Sequence, residues 1–171
     1  DPTHATNGKF YQWGRKYGQI YLYGSSMDCG YEEGPVSIES GESSQNRNTF
    51  YTAANSPYNW FEPFDAALWN SGSEEHPVKT EYDPCPEGWR VPTKTEMNAL
   101  QANASPEMIV SSSKGKYFSG SNTYSDKGQR LFLAYTDKMF GSDGNTTRMY
   151  DAEYYQTSAP QQTWNADGYS L

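Results

Sequence analysis

The chain of 171 residues has two histidines and two cysteines, and chemistry built on them meets obstacles at once. A Ser–His–Asp triad would have to use His4 or His76. His4 sits in a polar N-terminal stretch and His76 in the polar run from Ser71 to Lys79, so both read as solvated surface residues. A nucleophilic cysteine needs an electropositive surrounding, and Cys85, held between Pro84 and Pro86 in an acidic stretch, offers none. Cys29 and Cys85 can instead close one disulfide loop, worth about 4 kcal/mol in the chain-entropy treatment. Two free thiols are the alternative. With no CxxC pair, a His/Cys zinc site is not expected. The 21 acidic residues could include a carboxylate pair for glycoside hydrolysis, but nothing singles out two of them. P-loop, nucleophile-elbow, zincin and dinucleotide-binding patterns are absent. Asp143-Gly144-Asn145 and the pair Asn165 and Asp167 offer calcium-type oxygen ligands without the EF-hand spacing, and turn formation accounts for them. The expectation is no catalytic residue and no cofactor, with calcium as the one alternative.

The elements that would position any site must be built from an unusual composition. Ile, Leu, Val and Phe together number only 20, against 15 Tyr and 5 Trp. Each buried aromatic removes roughly 150–250 Å² from water, so an aromatic core can stand in for an aliphatic one. The formal net charge of −8 argues against a phosphate-backbone binder, which needs clustered cations. Apolar runs stop at three or four residues, too short for a membrane-spanning helix. No signal peptide precedes Asp1, so the chain reads as a mature or trimmed form.

One domain, 1–171, is expected, with 1–8 as a tail. Lys9 to Trp13 and Gln19 to Tyr23 read as short strands, and Ser25 to Asn48 as a long surface excursion. Phe64 to Trp69 reads as one or two helical turns. Thr93 and Glu96 have capping-box spacing, predicting a helix from Lys94 to about Asn103. Arg130 to Tyr135 reads as a central strand and Arg148 to Ser158 as another. Strands and helices mix without repeat, which gives an α+β class of short antiparallel sheets, one or two helices and long irregular loops.

The segment KTEYDPCPEGWRVPTKTEMNAL, Lys79 to Leu100, carries the most information. Pro84 and Pro86 fix φ, Gly88 permits a positive φ, Trp89 and Val91 are expected to point into the core, and Pro92 hands the chain to the capped helix. This segment resembles the "DPCPxGWRVPTxxE" pattern of Bacteroidetes surface proteins of the fimbrillin-like and Fibrobacter succinogenes major paralogous domain groups. Tyr11-Gln12-Trp13-Gly14-Arg15-Lys16 is similar to the same groups' "YQWGRK" element. Arg130 to Leu133 and Glu153 to Pro160 are similar to their later strands, so the resemblance covers roughly residues 10–160.

The resemblance implies a C-type-lectin-like fold and a ligand-binding role at the cell surface, on a lipoprotein or at a pilus tip. It also implies that the region 141–171 could be diversified by a retroelement. The chain departs from the pattern at Gly168 to Leu171, where the groups' terminal "GFSVRCV" strand and its cysteine are missing. Either Cys29 takes over the pairing or the chain is a fragment completed by another chain's strand.

The scaffold is expected to be Trp13, Trp60, Trp69, Trp89, Leu100, Leu131 and Leu133, with Trp89 central. The ligand face is expected at Tyr150, Asp151, Glu153, Tyr155, Gln156, Trp164, Asn165, Asp167 and Tyr169. There aromatic faces would supply area, while amides and carboxylates orient a surface glycan or protein. A structural pilus or assembly subunit is the alternative, and a glycan-active enzyme a minor one. The assignment depends on a proline-locked turn, a buried indole at Trp89 and a capped helix. A solvent-exposed Trp89 would remove it and the role together.

Overall fold

A computed structural model of the chain describes residues 9, 11–18, 30–54, 59–102, 108–110, 113–118, 131–134, 138–139, 146–147, 154–155, 157–160 and 169–170. Their elements are β1 (Gly30–Glu33), α1 (Ile38–Gly41), β2 (Thr49–Thr52), α2 (Lys94–Gln101), β3 (Met108–Val110), β4 (Ser113–Phe118), β5 (Leu131–Ala134), β6 (Lys138–Met139), β7 (Thr146–Thr147), β8 (Tyr154–Tyr155) and β9 (Tyr169–Ser170).

β1 and β2 pair in parallel, in register from Gly30 opposite Thr49 to Glu33 opposite Thr52. A parallel pair needs a crossover of about a dozen residues or more, and the chain from Gly34 to Asn48 supplies it, carrying α1. The Ser37 hydroxyl caps α1 by accepting the Ser40 N–H at 3.2 Å. β2 buries Phe50 and Tyr51, whereas all four β1 positions are exposed. The remaining pairings are antiparallel: a three-stranded sheet in the order β3-β4-β5, and the pairs β6–β7 and β8–β9.

The described core is largely aromatic. Tyr51, Trp60, Phe61 and Leu68 form one buried cluster, against which Trp13, Val36, Ile38 and Tyr82 pack. Trp60 and Phe61 meet at 4.9 Å between ring centroids, Trp13 and Trp69 at 5.8 Å, and Tyr51 and Trp60 at 6.1 Å. These tilted and offset arrangements suit the ring quadrupoles as well as burying area.

Several expectations need correction. Trp89 is 73% exposed, so it is not the central core aromatic. Residues 89 and 91 would share a face only along a strand, and residues 89–91 belong to none. Val91 is buried, and its N–H donates to Asp83 Oδ2 at 2.8 Å. Trp89 instead closes a turn, donating its N–H to Pro86 O at 3.0 Å after Gly88 at φ +81°. Leu131 is 50% exposed, and among the described residues β5 lies at the edge of its sheet with β4 between it and β3. Trp13, Leu100 and Leu133 are half-buried. Residues 64–69 form turns, not a helix, because Asp65 Oδ1 takes the Ala67 N–H at 2.8 Å in competition with helical bonding. Residues 11–13 form no strand, and the pairing of β1 with β2 is parallel where antiparallel sheets are expected.

Candidate binding surface and the modules that hold it

The Gln12-to-Arg15 element builds its surroundings through both side chain and backbone. Gln12 pairs with the backbone of Tyr51 as a strand would, donating Nε2–H to Tyr51 O at 2.8 Å and accepting Tyr51 N–H at 3.0 Å. The carbonyls of Trp13 and Arg15 accept the indole N–H groups of Trp60 and Trp69 at 2.7 and 3.1 Å. Gly14 has φ +88°, and a Cβ there would lie 2.5 Å from Leu68 Cδ1. Conformation and space both demand glycine at that position.

Arg15 is fully buried, yet its guanidinium is ringed by acceptors. It donates to Gly41 O at 2.8 Å, Asn46 O at 3.0 Å and Gln12 Oε1 at 3.1 Å, and also to Thr49 O. Nε stands 3.5 Å from Glu42 Oε1, and the rings of Tyr51 and Trp60 lie 5.6 and 5.3 Å away. A rigid planar fork suits this role where a compact ammonium would not. Burial pushes the Glu42 carboxyl above its ordinary range, against the opposing pull of Arg15. This arrangement serves the architecture and leaves the guanidinium no face for a ligand.

The DPCP turn is organised in the same way by Asp83, which is 2% exposed. Its Oδ1 accepts the Cys85 N–H at 2.8 Å and Lys79 Nζ–H at 2.7 Å, and its Oδ2 accepts the Val91 N–H. Lys79 also donates to Cys85 O at 2.7 Å. Cys85 carries a free thiol, and Cys29 lies outside the described residues. Burial, reinforced by the Asp83 carboxylate, raises the pKa of that thiol, the opposite of what a nucleophile needs.

The capping box of α2 forms as the spacing predicts. Thr93 Oγ1 accepts the Glu96 N–H at 3.2 Å, and Glu96 Oε2 accepts the Thr93 N–H at 2.9 Å. The same carboxylate takes both arms of Arg90 at 2.6 and 2.7 Å, which lowers the Glu96 pKa to about 2. Glu74 reaches from its own loop to accept the Thr95 N–H at 3.0 Å. The C-terminal part of the chain joins this module where Ser158 N–H donates to Pro92 O at 2.9 Å.

Of the nine residues expected at the ligand face, two are brought together. Tyr155 in β8 stands opposite Tyr169 in β9, and Tyr154 stands opposite Ser170. Tyr150, Asp151, Glu153, Gln156, Trp164, Asn165 and Asp167 lie outside the described residues, as do His4, Asp143, Gly144 and Asn145. His76 is exposed. Among the described residues, no group of three or more His, Cys, Asp or Glu could hold a metal ion, and no helix is long and apolar enough to cross a membrane. The roles of Arg15 and Asp83 escape sequence reasoning. Their only signal is that each sits inside a short, specific pattern whose other members are turn or core residues.

No protein-family model, curated protein or solved structure matches the chain.

Proposed function

We propose that the chain is a non-catalytic, cell-surface ligand-binding domain whose C-terminal aromatic and polar residues recognise a glycan or a protein. The observation that carries this reading is the β8–β9 register, in which Tyr155 pairs with Tyr169. Three residues beyond Tyr155, the Ser158 backbone bonds to Pro92 between the DPCP turn and the α2 cap. A pair of aromatic positions tied to a rigid module is a low-entropy way to present contact area.

The exposure of Trp89 counts against the C-type-lectin-like fold that the resemblance implies, which requires a buried indole. The Asp83-centred turn and the capped helix count for it. Trp89 in solvent meets the condition under which the family assignment and the role inferred from it fall, so the binding role proposed here rests on the β8–β9 register and the Ser158–Pro92 bond.

An array of glycans and candidate surface proteins, probed with the wild type, Tyr155→Ala and Trp164→Ala, tests the face. Loss of at least about tenfold in affinity, or about 1.4 kcal/mol, is expected for each variant. Unchanged binding in both would overturn the assignment. Sibling sequences from the same locus test the diversification reading: substitutions should concentrate in 141–171 at adenine-rich codons, and an invariant region removes the idea.

The alternative, an assembly subunit completed by strand addition, is favoured by one feature. β1 is exposed at all four positions and, among the described residues, has β2 as its one strand neighbour. Exposed strand edges are sites for added strands.

A further inference from the structure

We draw no further inference here: the strongest candidate, the exposed Trp89 indole on the proline-locked turn at residues 84–89, carries no proposal because nothing in the structure shows what covers it.

Discussion

Arg15 shows how much one side chain can organise when its charge is buried. Removing one partner of a buried ion pair typically costs about 3–5 kcal/mol, because the remaining groups are left without compensation. Arg15→Lys should approach that range in chemical denaturation, since one ammonium cannot reach Gly41 O, Asn46 O, Thr49 O and Gln12 together. A cost below about 1 kcal/mol would show that the carbonyl ring is not formed. Gly14 and Gly88, the two glycines of positive φ among the described residues, separate conformation from space. Gly14→Ala should cost about 2–3 kcal/mol, because Leu68 occupies the position of the added methyl. Gly88→Ala meets no atom within 4 Å and should cost only about 1 kcal/mol, from backbone conformation alone. Equal costs would contradict the difference in packing.

Among the elements, the start of α2 is held by the carboxylates of Glu96 and Glu74, and its pH response follows from the sign of each shift. Glu96 titrates near 2 in the folded chain, below its ordinary 4.5. Its contribution is therefore present above about pH 4.5 and lost as the pH falls towards 2. Because the Glu96 side chain is 46% exposed, solvent screening holds the effect below about 1 kcal/mol. Glu42 has the opposite sign: its raised pKa favours the folded state while the group is protonated, and that contribution fades as the pH rises through the folded value. Stability measured against pH in Glu96→Gln and Glu42→Gln should change slope in opposite senses, and matching slopes would refute the assignment. Thr93→Ala should cost about 1 kcal/mol through loss of the cap.

This helix start was legible because its signal is local, Thr93 and Glu96 lying three residues apart in the sequence. The Arg15 site was not legible, because its acceptors are backbone carbonyls 26 to 34 residues away that leave no mark on side-chain pattern. The turns at 64–69 were misread because the spacing of apolar residues does not reveal that Asp65 will take a backbone N–H.

At the scale of the whole molecule, the described tryptophans run from fully buried to mostly exposed. Trp69 is 1% exposed and donates to Arg15 O, whereas Trp89 stands mostly in solvent. Trp69→Ala should cost about 3–5 kcal/mol, while Trp89→Ala should stay within about 0.5 kcal/mol. A large loss at Trp89 would instead show that the indole is buried in solution, as the family resemblance requires. The aromatic character of the core was legible from composition. Which aromatics enter it was not, because that depends on where turns reverse the chain.

The bonds from Trp60 and Trp69 to the carbonyls of residues 13 and 15 span 47 and 54 positions of sequence. A ribosome delivers the two accepting carbonyls before the indoles that bond them. At about 5–20 residues per second, residues 12–15 leave the exit tunnel roughly 3–11 s before Trp69 does. The carbonyls that receive the Arg15 guanidinium lie 26 to 34 residues downstream and emerge within that interval, so the cation finds its acceptors before the Trp69 indole arrives.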